Sequence, residues 1–351
     1  MSLLYEFVKH SGRQALPVYF GKLEINGHEH VPDKAPYIIA PNHQSAFLDA
    51  ILMGVYHDKP VHFLTRSDVF VEPYAKALRA LNMMPVYRIR DGYDKLSKNE
   101  EVFKRCEELL SKGNPVLIFP EGNMGDGHFL RPLTKGTARM AFQSQLAMDQ
   151  DLKILPVGIN YFHHDNPRYK CIINYGPCIS VKDYLPAYQK QKAKALIALR
   201  NDLSERIKKL LVIPIKEEYE VRQKGLNRKN ERYGFSTLRE KLDDKTFAKA
   251  TYFTSLKFIP TLLSLANPLA IYLTHYIMYE KLKERQFFSS LKYTLGFLLS
   301  MLWWSLLFIS STVIWNWKTG AVVTTLSILL LLIRSEIKKY THPITPPISE
   351  S

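Results

Sequence analysis

In IIAPNHQSAFLDA, residues 38–50, His43 and Asp49 stand six positions apart just past an apolar run. Imidazole titrates near neutrality, so a histidine can take a proton from a hydroxyl during a reaction. A carboxylate that holds one tautomer and stabilises the imidazolium makes it a better base. Acyl transfer to an alcohol needs such a base, because a neutral hydroxyl is a poor nucleophile. No Gly-x-Ser-x-Gly motif occurs. Direct attack by a bound hydroxyl is therefore the economical mechanism, without an acyl-enzyme. The competing reading of the same residues is a polar turn that caps a buried strand.

Two further stretches carry groups suited to an anion. LIFPEGNMGDGHFLRPLTKG, residues 117–136, places Phe-Pro-Glu-Gly at a strand end, then a glycine-rich loop with Arg131 and Lys135. Backbone N–H groups and cations in such a loop suit a phosphate. MMPVYRIRDG, residues 83–92, ends another strand with Arg88 and Arg90. Taken singly, each arginine reads as a surface charge.

The elements that must position these groups alternate. KLEINGHEHVP reads as a strand and an Asn-Gly turn, APYIIAPNH as a strand and FLDAILMGVYH as a buried helix. KPVHFLTRS is a strand, PYAKALRALNM a helix and MMPVYRIR a strand. In KNEEVFKRCEELLSK, Val102, Cys106, Leu109 and Leu110 share one helical face, and Gly113 is a stop. PVLIFPEG is a strand, TKGTARMAFQSQLAM a helix and LKILPVGINYF a strand. Helices alternating with short apolar strands predict an α/β fold, a mostly parallel sheet flanked by helices. Ligands of such sheets gather beyond the carboxyl ends of the strands, where all three motifs fall.

Four blocks, NHQSAFLD, MPVYRIR, FPEG and ILPVGINY, stand in the order and approximate spacing of the phospholipid/glycerol acyltransferases, which this sequence resembles from about Lys22 to about Asp183. That family includes glycerol-3-phosphate and lysophosphatidic acid acyltransferases. The resemblance implies His43 as general base and Asp49 as its partner. It implies a thioester donor, acyl-CoA or acyl carrier protein, and no cofactor beyond it. Arg88 would bind the phosphate of a phosphorylated glycerol acceptor, and Glu121 with Gly122 would help form the acceptor site. The ILPVG strand, with Pro156, matches the fourth block, whose role is less defined.

Two departures stand out. The common family spacing is His-x4-Asp, whereas five residues separate His43 from Asp49. On a continuous helix one extra residue swings a side chain by about 100°. The pair therefore meets only if His43 precedes the helix and residues 44–46 absorb the insertion. Some glycerol-3-phosphate acyltransferase-like branches carry this longer spacing. Second, many lysophosphatidic acid enzymes have Phe-Pro-Glu-Gly-Thr-Arg. Here Asn123 replaces the hydroxyl and Met124 the arginine, with Arg131 or Lys135 available as the missing cation.

Beyond residue 190 the composition changes. Residues 191–250 are dense in both charges and read as a basic helical linker, either solvated or touching anionic headgroups. Residues 251–340 read as membrane helices and 341–351 as a tail. LKYTLGFLLSMLWWSLLFISSTVIW, residues 291–315, is the clearest span, and residues 320–333 form a short one. Residues 258–278 are long enough, but Asn267-Pro268 interrupts them. Lys281, Lys283, Arg285 and Lys292 precede the second block, and Arg334, Lys338 and Lys339 follow the third. Only Lys318 lies between, which predicts an in–out–in hairpin. A first block that kinks at Pro268 and re-enters keeps Tyr252 and Gln286 on one side and residues 21–190, the acyltransferase domain, on the cytoplasmic face.

The net charge of +15 calls for an acidic partner. Anionic membrane lipids and a phosphorylated substrate fit. Nucleic acid does not, because the basic stretch leads straight into lipid-like sequence. Cys106, Cys171 and Cys178 form no disulfide framework or metal motif. Residues 1–20 are not a secretory signal, since Glu6, Lys9 and Arg13 interrupt any apolar core. They read as an amphipathic membrane-contacting helix or as one packed on the core. His163-His164-Asp165 reads as a polar turn rather than a metal site, His128 as a solvated loop residue, and His62 and His275 as satisfied structural groups. A non-catalytic lipid-binding scaffold that keeps the fold is the alternative to an enzyme.

Overall fold

The structure, a computed structural model, describes residues 2–87, 97–123, 128–164, 166–282 and 287–342. Arg88, Arg90, Lys283, Arg285 and Gln286 lie outside these, as do Met124 and Asp165.

Strands β1 (Leu23–Asn26), β2 (Tyr37–Pro41), β3 (His62–Arg66), β4 (Met83–Val86), β5 (Val116–Leu117), β6 (Lys153–Tyr161) and β7 (Cys171–Tyr175) order as β1-β7-β6-β2-β5-β3-β4, and β8 (Ile179–Ser180) pairs with β6. β6 runs antiparallel to β7 and β8, and the other described pairs are parallel. Alternation along β2 sends Ile38 and Ala40 to one face and Tyr37 and Ile39 to the other. Helices α1 (Leu3–Phe20) and α2 (Ala46–Tyr56) cover the second face through Leu16, Phe20, Leu52 and Met53. α3 (Tyr74–Ala80) precedes β4. α4 (Lys98–Ser111) and α5 (Gly136–Leu146) cover the first face through Cys106, Leu110, Met140 and Phe142. The sheet is thus buried on both sides, which is why its strands read as continuous apolar runs.

After α6 (Leu185–Lys190), residues expected as a linker prove to be part of this domain. In α7 (Lys192–Lys209), Ala195, Leu199, Leu203 and Ile207 recur four apart and sit buried in the same core as β2 and β5. Asn160 locks the following chain to β6, accepting from Val212 N–H at 2.8 Å and donating to the Leu210 carbonyl at 3.0 Å. After α8 (Tyr219–Gln223), α9 (Phe235–Asp243) buries Leu238 and Leu242 on Phe162, Tyr169 and Ile172. A charge-rich composition hid an apolar stripe of one residue per turn.

The N-terminal helix packs on the core and keeps an exposed apolar edge. It buries Tyr5, Leu16 and Phe20, yet leaves Leu3, Phe7 and Val18 exposed.

α12 (Phe288–Ile314) and α13 (Trp317–Thr341) form an antiparallel hairpin. At ~1.5 Å per residue each is longer than the ~30 Å hydrocarbon core of a bilayer. Both are apolar enough to cross it. Leu298, Leu302, Leu306, Ile309, Val322 and Leu326 stand exposed, an apolar surface that water does not accommodate. The third block, short as an apolar run, is a full-length helix because Arg334–Thr341 continue it onto the domain. There Arg168 pairs with Glu336 at 2.7 Å and Lys339 with Glu231 at 3.0 Å.

The interrupted first block is a wedge against this hairpin. α10 (Thr254–Ala266) and α11 (Leu269–Lys281) meet at 109°. Pro268 lacks an N–H, so the helix breaks there, and neighbouring side chains take up the freed polar groups. Asn267, fully buried, donates to the Ser327 carbonyl (2.8 Å) and accepts from Trp304 Nε1 (2.9 Å) and Ser327 Oγ (3.1 Å). Trp303 Nε1 and Ser327 Oγ both donate to the Ala266 carbonyl at 2.9 Å. Both ends of the wedge return to the domain side of the hairpin. Phe253 N–H meets the Tyr340 carbonyl at 2.9 Å, and the Tyr279 ring lies 4.8 Å from that of Phe288.

Two measurements test this arrangement. Cysteines placed at Tyr252 and Lys281 will label from one side of the membrane and one at Lys318 from the other; opposite-side labelling of the first pair would refute the wedge. Leu203→Ala will lower the stability of the α/β domain by about 2–4 kcal/mol in denaturant titration, whereas a linker residue would leave it unchanged.

Candidate active site

β2 delivers the chain to Asn42, whose side-chain amide continues the ladder. It accepts from Ile159 N–H at 2.7 Å and donates to the Ile159 carbonyl at 3.0 Å. His43 follows, before α2, and residues 44–46 make the turn that the longer spacing requires. Ser45 is the N-cap residue, and Ala46 takes φ 42°. That left-handed value costs a non-glycine residue about 1–2 kcal/mol. The strain closes the turn around one carboxylate.

Asp49 is fully buried. Its Oδ2 accepts from Gln44 N–H and Ser45 N–H, each at 2.8 Å, and faces His43 Nδ1 at 2.9 Å. Its Oδ1 accepts from the Tyr161 hydroxyl at 2.5 Å. An oxygen already taking two amide hydrogens acts as a carboxylate acceptor, so Nδ1 carries the imidazole proton and Nε2 keeps its lone pair. Nε2 has no hydrogen-bond partner among the described residues. The ring stacks on Phe119, centroids 3.7 Å apart at 14°, and is fixed on two sides.

Burial drives the Tyr161 phenol well above its ordinary pKa, and the Asp49 charge adds to that. Tyr161 therefore stays protonated and donates at all ordinary pH.

The Phe-Pro-Glu-Gly turn leaves β5 beside this pair. Gly122 has φ 73°, and a Cβ there would lie 2.8 Å from a Thr134 methyl, so only glycine fits. Glu121 is buried and holds the turn to His43 by its backbone. Its Oε1 accepts from His43 N–H at 2.7 Å, and its Oε2 accepts from Arg131 Nε at 2.6 Å. Burial raises the Glu121 pKa, opposed first by the Arg131 charge. Arg131 also donates from Nη2 to the His43 carbonyl (2.9 Å) and the Asn123 carbonyl (2.7 Å). Its Nη1 is buried and makes no hydrogen bond among the described residues.

The structure thus joins His43, Asp49, Glu121, Gly122, Asn123 and Arg131 in one network at the carboxyl edge of the sheet. Glu121 and Arg131 act on the backbone of His43, and Nη1, the one guanidinium nitrogen without a partner among the described residues, is shut away from solvent. Lys135 is exposed at the start of α5, and its side chain makes no hydrogen bond or ion pair among the described residues. Arg88 and Arg90, the expected phosphate contacts, fall outside the described residues.

Four histidines differ from expectation. His164 is buried, its Nε2 3.2 Å from Gln44 Oε1, and its ring stacks on His128 with centroids 3.2 Å apart. His128 is half-buried rather than solvated, and burial lowers its pKa to about 3. His163 is held down to about 3 by the same cause. The turn after β6 therefore packs neutral imidazoles behind the site. His62 is not fully satisfied, since Nδ1 is buried without a partner, while His275 stacks on Tyr279 at 4.3 Å.

The comparisons bear on this region. Residues 22–160 match the family model described as Acyltransferase. That segment belongs to the acyltransferase family. The chloroplastic 1-acyl-sn-glycerol-3-phosphate acyltransferase LPAT1 of Arabidopsis thaliana is 31% identical over 157 residues, 42% of each chain. Glycerol-3-phosphate O-acyltransferase 1 of Saccharomyces cerevisiae is 37% identical over 87 residues, 24% of this chain and 12% of its own. The chain thus spans less than half the length of these relatives. The crystal structure of the 1-acyl-sn-glycerophosphate acyltransferase PlsC from Thermotoga maritima superposes with a TM-score of 0.44 at 19% identity, over 58% of this chain and 77% of that one.

Sequence reasoning missed Tyr161, Gln44 and Phe119. Tyr161 closes the fourth block, INY, and its distance from Asp49 in sequence concealed the contact. Removing its hydroxyl takes away one of the bonds that orient the Asp49 carboxylate toward His43. Tyr161→Phe will lower kcat about tenfold with the fold retained; an unchanged kcat would make Tyr161 packing alone.

Proposed function

We propose that this chain is a membrane-bound O-acyltransferase. It moves a fatty acyl group from a thioester, acyl-CoA or acyl carrier protein, to a hydroxyl of glycerol 3-phosphate or 1-acylglycerol 3-phosphate. The observation that carries the reading is the 2.9 Å contact of His43 Nδ1 with an Asp49 carboxylate already held by two amides and a phenol.

His43 Nε2 takes the proton as the acceptor oxygen attacks the thioester carbonyl. The tetrahedral intermediate collapses with cleavage of the carbon–sulfur bond, and the imidazolium returns its proton to the departing thiolate. Asp49 stabilises the transient charge. The basic MPVYRIR segment, with Arg88 and Arg90, is the candidate to hold the acceptor phosphate. The family of the segment 22–160 and the names of its relatives support this substrate class.

The hairpin and the exposed face of α1 keep the site at the lipid surface, where a lipid product leaves. Lys281, Arg334, Lys338 and Lys339 at the domain end, against Lys318 at the hairpin turn, favour a cytoplasmic catalytic face.

The test is purified membranes offered labelled acyl-CoA or acyl carrier protein with each acceptor. His43→Ala will remove at least about 10³ of the rate while the protein stays folded and membrane-bound; retained activity would sink the catalytic assignment.

A further inference from the structure

The turn that carries the dyad is gripped by a part of the chain far from it in sequence. Ser290, in the first turn of α12, is 1% exposed. Its Oγ donates to the Ser45 carbonyl at 2.6 Å and accepts from Leu48 N–H at 3.0 Å. Ser289, also buried, donates from Oγ to Ser45 Oγ at 3.1 Å. Its carbonyl accepts from the Tyr19 hydroxyl at 3.5 Å, and the Tyr293 ring packs edge-on to Tyr19 at 5.2 Å.

We infer that the first turn of the membrane hairpin is a working part of the catalytic centre, with Ser290 as a positioning residue for His43 and Asp49. This rests on the acyltransferase reading above. The argument is one of backbone groups. The inserted residue forces a turn whose N–H and C=O groups are buried and partly outside the helix ladder. Asp49 satisfies the inner N–H groups of residues 44 and 45. On the outer face Leu48 N–H donates to the Ser45 carbonyl at 2.9 Å, and the Ser290 hydroxyl bridges that pair, one residue on each side of strained Ala46. A single hydroxyl that both donates and accepts braces this turn bond from outside. Without it the turn can relax toward ordinary helix, and His43 then leaves its line with Asp49. The hairpin therefore does more than anchor: it sets the dyad geometry and fixes its height at the membrane.

The experiment uses the full chain in membranes. Ser290→Ala will lower kcat about tenfold or more, leave KM for donor and acceptor within about twofold, and leave membrane retention unchanged. Ser290→Thr, which keeps the hydroxyl, will restore most of the rate. Wild-type kcat in Ser290→Ala, or equal damage by Ala and Thr, overturns the proposal. Should Ser290→Ala fail to fold, the Ser45→Cys/Ser289→Cys pair replaces it. Mild oxidation will crosslink the two positions, and absence of the crosslink overturns the contact. Inactive wild-type protein would instead defeat the functional reading, with the crosslink still testing the contact.

Discussion

A buried carboxylate organises the carboxyl edge of the sheet. Asp49 lies out of reach of water, where an unpaired charge would be untenable and loss of one partner from a buried pair costs about 3–5 kcal/mol. Its four donors come from three places: the imidazole of His43, the amides of residues 44 and 45, and the phenol of Tyr161. Satisfying the charge therefore forces the turn after β2, the start of α2 and the end of β6 into one arrangement. The His43 ring is aligned as a by-product of that requirement.

The surrounding residues hold the backbone rather than the ring. Glu121 takes the His43 N–H and Arg131 takes its carbonyl, so the Phe-Pro-Glu-Gly turn clamps the histidine by its peptide groups. Phe119 then fixes the ring plane. A buried ion pair is weak evidence for stability, since its desolvation offsets much of its attraction. Here its directional bonds explain its presence better, because they leave His43 few conformations.

The same logic extends into the apolar region. Asn267 is a polar residue where lipid offers no partners, and it is tolerated because Trp304 and Ser327 meet it. The broken helix becomes a wedge with both ends beside the domain, and the domain side of the hairpin is tied down by Arg168–Glu336 and Lys339–Glu231. The turn after β2, the hairpin and the wedge form one connected polar framework.

Much of this was legible in the residue order. Continuous apolar runs and period-four stripes specify the strands and helices, because a sheet buried on both faces needs apolar residues at every strand position. The three described motif ends, at His43, Glu121 and Tyr161, meet because they close neighbouring strands that run in one direction. The His43–Asp49 pairing followed from helix geometry, given a turn at 44–46. What the order of residues could not specify were contacts between distant segments. The stripe in α7 was masked by its charges, the histidines behind the site looked like loop residues, and Ser289-Ser290 resembled any small pair near a membrane helix. Local pattern reports which face of an element is apolar; only the packed structure decides which polar groups are left inside and must find one another.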